Sequence, residues 1–225
     1  MFMRTFKYIL AALVGFTALT AHANGPWVVR FQDEKLPTQV ETEHDQIVNP
    51  IAASSSLLKS GAAISSVAAT TISTFSAQPD FPRNVTLTPT GTTSNVAAGT
   101  AVVSGLSIFG KAISENFAIT STQSTATTGS KAFKSVSSVV FPQASGSSVT
   151  LSIGVGSKMG LRRCLDQAGF MNFDVYGGVY AATRGTVAVD STHIESNTYT
   201  PNSAADGAHN LDIFYIQNFR CYPGQ

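Results

Sequence analysis

Gln78-Pro79-Asp80-Phe81-Pro82-Arg83-Asn84-Val85-Thr86-Leu87 opens the stretch that decides the fold. The stretch continues through Val102-Val103-Ser104-Gly105-Leu106-Ser107-Ile108-Phe109-Gly110-Lys111-Ala112-Ile113-Ser114-Glu115-Asn116-Phe117. It closes on Gly129-Ser130-Lys131-Ala132-Phe133-Lys134-Ser135-Val136-Ser137-Ser138-Val139, just short of Phe141. Apolar residues alternate here with small polar ones, and the breaks fall at proline and glycine. A period of two interrupted in this way predicts short β-strands joined by turns. The stretch reads as the central sheet of an assembly protein, and no chemistry is visible in it.

The same pattern extends outward. Pro79, Pro82 and Pro89 punctuate the start, so Asp80-Phe81-Pro82 is a turn or sheet edge and Asn84–Thr88 the strand after it. Thr100–Ser104 and Lys111–Thr120 form a hairpin around Gly105 and Gly110. Ile113, Phe117 and Ile119 share a face with Glu115, which is expected near the sheet edge or paired with a lysine. Ser121–Ser130 reads as a surface loop and Lys134–Phe141 as a strand. Val149, Leu151, Ile153 and Val155 alternate with Thr150, Ser152 and Gly154, the cleanest period-two signal in the chain. Gly156-Ser157-Lys158-Met159-Gly160 reads as a turn and lacks the spacing of a phosphate loop. Met171–Tyr176, Thr186–Asp190 and Leu211–Gln217 are further strands. Thr198-Tyr199-Thr200-Pro201-Asn202 and Asp206-Gly207 mark turns.

Composition agrees with this class. Charged residues make up 12% of the 225, about half the usual 25%. Serine, threonine, alanine and glycine fill the gap, which disfavours a helical bundle. A formal net charge of +1 and the lack of any basic run give nucleic-acid binding no support. So little charge suits a chain that buries much of its exterior against neighbours.

The N-terminal part reads differently. Arg4 and Lys7, the apolar run Tyr8–Leu19 and Ala21-His22-Ala23 have the pattern of a secretory signal peptide over 1–23, cleaved between Ala23 and Asn24. The alternative is an uncleaved hydrophobic arm packed on a neighbouring subunit. Residues 24–69 read as an extended arm or linker. Within it, Trp27-Val28-Val29-Arg30-Phe31 suits a short strand. Glu41-Thr42-Glu43-His44-Asp45 has metal-ligand residue types but no ligand periodicity, so it reads as a solvated linker. The Ala/Ser-rich residues 50–77 suit a short helix or a close-packed extended chain, with a strand at Thr70–Phe75.

Two cysteines are present, Cys164 and Cys221. In an exported chain they suggest a disulfide, worth roughly 3–5 kcal/mol through the long loop it closes. In a particle assembled in the cytoplasm they would be free thiols. No Cys/His spacing supports zinc, and no motif asks for a cofactor. His44, His193 and His209 lie outside any nucleophile motif, so no enzyme activity is expected. Asn84-Val85-Thr86 matches a glycosylation sequon.

Five stretches in order carry a resemblance: Asn49-Pro50-Ile51-Ala52; Gln78-Pro79-Asp80-Phe81-Pro82-Arg83-Asn84; Ile108-Phe109-Gly110-Lys111-Ala112-Ile113-Ser114-Glu115; Gly129-Ser130-Lys131-Ala132-Phe133-Lys134-Ser135-Val136; and Gly154-Val155-Gly156-Ser157-Lys158-Met159-Gly160-Leu161. Together with Asp212-Ile213-Phe214-Tyr215-Ile216, the sequence over about residues 48–217 resembles a group of tailed-bacteriophage virion structural proteins. The resemblance implies a non-enzymatic capsid decoration or cement protein on the capsid surface. A tail or neck component is the nearby alternative. Its partners would be further copies of itself and the major capsid protein or other virion proteins, with function spread over an interface. The leader and the tail 218–225 depart from that group. The alternative is an exported β-sandwich binding module or adhesin, secreted or periplasmic after signal cleavage, meeting a membrane only in transit.

The expected architecture is all-β: an antiparallel β-sandwich or jelly-roll-like domain over 70–217 behind an extended N-terminal arm. A division into two subdomains would fall near 156–170.

Overall fold

The computed structural model describes residues 41–217 apart from 93, 122–124 and 166. The leader with its Ala23–Asn24 cleavage point, the strand expected at Trp27–Phe31, and the tail with Cys221 lie outside the described residues.

The chain is all-β. Its strands are β1 (Glu41–Ile47), β2 (Ser54–Ile64), β3 (Thr70–Ile72), β4 (Arg83–Thr90), β5 (Gly99–Leu106), β6 (Ala112–Ile119) and β7 (Thr127–Thr128). They continue with β8 (Ser135–Phe141), β9 (Val149–Gly160), β10 (Met171–Tyr176), β11 (Val179–Tyr180), β12 (Thr186–Ala188), β13 (Thr198–Thr200) and β14 (Leu211–Gln217). Two short 3-10 turns, Ala168–Phe170 and Ile194–Ser196, are the only helical elements among the described residues.

All pairings are antiparallel. One sheet runs β1-β14-β10-β11, a second β12-β13-β9-β4-β7 with β2 also on β9, and a third β3-β8-β5-β6. The inward residues of β2, β4 and β9 (Leu58, Leu87, Ile153) share one core with those of β5, β6 and β8 (Val103, Phe117, Val139), which makes the sandwich. A second core gathers Ile47, Leu211, Ile213 and Tyr215 of the first sheet with Met159, Leu161 and Tyr199. Strand β9 belongs to both cores: Val155 closes the first and Met159 opens the second.

Three expectations are corrected. The arm expected over 24–69 is built into the sheets from Glu41 on: β1 pairs with β14 and β2 with β9. Gly156–Gly160 is the second half of β9 and not a turn. Its glycines mark close approach of other chain segments: a Cβ on Gly154 would sit 1.8 Å from the Ser54 carbonyl, and one on Gly156 2.4 Å from the Asn84 side chain. Thr198–Thr200, read as a turn, is β13 and buries Tyr199 completely. Gly177-Gly178 is the tight two-residue hairpin turn between β10 and β11, with φ values of +59° and +81° that suit it.

The turn before β4 ties the sandwich together. The Gln78 amide acts as a strand residue toward Val136, accepting from its N–H at 2.7 Å and donating to its carbonyl at 3.1 Å. Asp80 Oδ2 accepts from Ile51 N–H at 2.9 Å. The Arg83 guanidinium, fully buried, donates to Ile51 O at 2.7 Å, Gly156 O at 3.0 Å and Asp80 Oδ1 at 3.2 Å. Its backbone exchanges two hydrogen bonds with Phe133. Asn84, also fully buried, donates to Gly129 O at 3.0 Å and accepts from Lys158 N–H at 2.9 Å.

Removing Arg83 would leave the Gly156 and Ile51 carbonyls and Asp80 Oδ1 without the guanidinium donor. Arg83→Met is therefore expected to cost about 3 kcal/mol, read as a lower urea midpoint with an unchanged slope. A change below about 0.5 kcal/mol, the scatter of ordinary surface substitutions, would show that the guanidinium does not hold the turn.

Candidate functional site

The first sheet has two unlike faces because successive strand residues point to opposite sides. Asp45, Ile47, Leu211, Ile213 and Tyr215 point inward and are buried. His44 and Phe214, paired in register between β1 and β14, point outward. On β10 a bulge between Met171 and Phe173 lets Met171 stay in the core opposite Tyr215 while Phe173 turns out opposite Phe214. On a regular strand these two residues would share a face. Tyr180 of β11 completes the row, opposite Val175.

Four rings thus cross the sheet, one from each strand. His44 and Phe214 stack with centroids 4.3 Å apart and planes 1° from parallel, and Phe214 stacks on Phe173 at 4.6 Å. Phe173 meets Tyr180 at 5.4 Å in a tilted contact. Exposure rises along the row, to 38% at Phe173 and 70% at Tyr180. The stacked faces of His44, Phe214 and Phe173 cover one another, while Tyr180 in its tilted contact is the most exposed ring of the row. At the far end, Asp212 Oδ1 takes His44 Nε2 at 2.8 Å and the Gln46 amide at 2.9 Å.

This alternation also decides the metal question at Glu41–Asp45. His44 goes to the outer face and Asp45 to the inner one, so they cannot converge on one ion. Among the described residues no group of three metal-ligating side chains forms. The segment is strand rather than solvated linker. Asp45 is accommodated by hydrogen bonds from Tyr215 Oη at 2.9 Å and Arg162 N–H at 3.0 Å, with the Arg162 Nε 3.6 Å from its other oxygen. Burial outweighs these partners and pushes the Asp45 carboxyl above its ordinary value. Burial, with Asp45 beside it, also raises the Tyr215 phenol.

The other two histidines sit in local turns. Asp190 accepts from Thr192 N–H at 2.8 Å and His193 N–H at 3.0 Å. Thr192 Oγ1 and Asp190 both approach His193 Nδ1, at 2.7 and 3.2 Å, so no relay runs through the two ring nitrogens. Burial alone would raise the Asp190 carboxyl, but the hydrogen bonds from Thr192 and His193 outweigh it and bring it down to about 2. Asp206 likewise holds His209 Nδ1 at 2.6 Å. The nearby Tyr176 hydroxyl first, then the hydrogen bonds with Ala208 and His209, keep its carboxyl below the ordinary value. No hydroxyl or thiol bonds to His44 or His209 among the described residues. A shallow hollow of about 300 Å³ is lined by Ala53, Ser54, Thr86, Thr128, Gly156 and Ser157 with their small neighbours, and no titratable side chain faces it.

The remaining sequence-predicted positions have defined places. Cys164 is buried and disulfide-bonded. Cys221, the other cysteine of the chain, lies outside the described residues, as do Ala23 and Asn24. Glu115 is on edge strand β6, where its carboxylate accepts from the Ser130 N–H at 2.6 Å and hydroxyl at 2.7 Å; Lys131 contributes its N–H, while its ammonium goes to Glu195 at 3.4 Å. Asn84 of the sequon is buried with both ends of its amide bonded, which closes it to a glycan in the folded protein. The aromatic row escaped sequence reading because its members come from four separate strands, and the bulge that turns Phe173 out has no periodic signal.

Comparison with known families, curated proteins and solved structures gives no match, so no relative's activity bears on this face.

Asp190 and Asp45 should shape acid stability with opposite sign. Asp190 has its folded value below the ordinary 3.8, so its contribution is complete above about pH 4 and lost as pH falls toward 2. Asp190→Ala should therefore destabilise at neutral pH, with the deficit closing across that window. Asp45 has its folded value above the ordinary 3.8, so its contribution is full below about pH 4 and lost as pH rises through the folded value. Asp45→Asn keeps the acceptor for Tyr215 and should gain relative to wild type as pH rises. Urea unfolding of both variants from pH 2 to 7 measures the two slopes, and parallel curves for variant and wild type would refute the assignment.

Proposed function

We propose that the chain is a non-enzymatic structural protein of a phage virion, a capsid decoration or cement protein that works through oligomeric surface contacts with the major capsid protein. The observation that carries this reading is the meeting of the five resemblance stretches. Asn49–Ala52 is held by Asp80 and Arg83 through Ile51. Gln78–Asn84 bonds to Val136, Phe133 and Gly129 of the fourth stretch and to Gly156 and Lys158 of the fifth. Glu115 of the third reaches Ser130 of the fourth. Stretches far apart in sequence that lock onto one another behave as one fold signature, and a shared fold is what the resemblance to virion proteins calls for. Apolar side chains exposed at loop tips and at an edge, Val67, Phe109 and Val179, suit a protein that acts by contact.

A second reading, an exported binding module, is favoured by the disulfide at Cys164, since such bonds persist in oxidising compartments. Particle content separates the two. Purified particles should hold the chain at a fixed ratio to the major capsid protein, retained on tail-less heads. Recovery on tails alone would move it to the tail or neck. Absence from particles, together with a free chain that starts at Asn24 and resists thiol alkylation, would overturn the virion reading for the exported one.

A further inference from the structure

We infer that edge strand β11 pairs with β11 of a second copy about a two-fold axis at Tyr180, so that the first sheet of one copy continues into that of the other. No strand lies beyond β11 among the described residues. The Ala181 N–H donates to Asp174 O on β10 at 3.1 Å. Backbone groups alternate between the two sides of an antiparallel strand. The N–H and C=O of Tyr180, one position earlier, are therefore directed away from β10 to the open edge. An antiparallel partner centred on Tyr180 takes both, each copy donating its N–H to the other's carbonyl.

The side chains suit the same symmetry. Val179 and Tyr180 project to opposite faces of the sheet, and both are largely exposed, at 69% and 70%. A two-fold axis perpendicular to the sheet keeps the outer face outermost in both copies. Tyr180 then lies directly opposite its counterpart, an aromatic cross-strand pair of the kind that stabilises sheets. The row ends in one copy at its most exposed ring. Across the axis it continues through the second copy's Tyr180, Phe173, Phe214 and His44. On the inner face Val179 falls opposite Ala181, which is small enough to leave room for it. One register thus covers both exposed side chains of β11.

The two ends of the sheet are built differently. Exposed edges are ordinarily guarded by charge, proline or a bulge. Strand β1, the other edge, carries Glu41 and Glu43, and two copies of it side by side would bring like charges together. From Gly177 to Thr183 there is no charged residue and no proline, and the β10–β11 pairing has no register shift. The occupant is a second copy because the match is of the strand to itself, backbone to backbone and ring to ring. The inference stands on this sheet and not on the virion reading, and holds equally for an exported chain.

A short edge gives weak pairing, so sedimentation velocity of the isolated protein should show monomer giving way to dimer between micromolar and near-millimolar concentration. Tyr180→Lys sets two like charges opposite each other at the axis and should keep the protein monomeric throughout, with unchanged far-UV circular dichroism. Tyr180→Phe keeps the ring and should still dimerise. Photo-oxidative coupling of adjacent tyrosines should give a covalent dimer of the wild type and none of Tyr180→Phe. A wild type that stays monomeric would overturn the proposal. So would a dimer that survives Tyr180→Lys, or covalent coupling that survives Tyr180→Phe, since either places the contact on another surface. None of these results depends on whether the chain is found in particles.

Discussion

A buried arginine governs this fold. Arg83 has no exposure, and a guanidinium placed there is tolerated only if acceptors surround it. The chain supplies them from three places far apart in sequence: the Ile51 carbonyl before β2, the Gly156 carbonyl inside β9, and the Asp80 carboxylate in its own turn. Each acceptor is thereby fixed relative to the others. The constraint propagates, because Gly156 O must face Arg83 while the Asn84 amide packs against the same glycine. A Cβ at Gly154 would meet the Ser54 carbonyl and one at Gly156 the Asn84 amide, so both glycines are set by the close approach of neighbouring segments.

Strand β9 explains why two cores form on one chain. Through Val155 its inward residues face the sandwich. Past the Gly156 contact its neighbour changes from β2 to β13, and Met159 and Leu161 feed the second core with Tyr199 and the first sheet. The second core is closed by β1 and β14, whose pairing brings residues from either end of the described chain side by side. The aromatic row lies on the outside of that pairing, so its geometry depends on the register of strands joined last in the topology.

Much of the sandwich was legible in the sequence because its strands obey a clean period of two. Val149 to Val155, Ile113 with Phe117 and Ile119, and Val139 with Phe141 all alternate and all are buried on the expected side. What could not be read fails for identifiable reasons. β1 is disguised by Glu41, Glu43 and Asp45, charges that normally signal solvent. Asp45 enters the core because Tyr215 and Arg162 meet it there, and neither is near in sequence. β2 is disguised by serine and alanine, small enough for any conformation. β13 is three residues beside Pro201, and its Tyr199 is buried by partners from β9 and the first sheet. Glycine misled twice in opposite directions: Gly156 and Gly160 looked like a turn and are strand, while Gly177-Gly178 is a turn. In each case residues distant in sequence decide the local structure, which is why the aromatic row was out of reach while the sandwich was not.

The low charge of the chain has an internal counterpart. Beside ion pairs such as Arg83–Asp80, this chain joins loops through amide side chains, which carry a donor and an acceptor and so satisfy both halves of a backbone gap. Gln78 does this for Val136, and Asn84 for Gly129 and Lys158. Asn197 does it for the last third of the chain, accepting from Leu165 N–H at 2.9 Å and donating to His193 O at 3.1 Å, with its amide also on Asp190 O. Neutral links of this kind avoid the desolvation penalty of buried charges and are not screened by salt. They also leave the exterior without the charged groups that usually keep molecules apart.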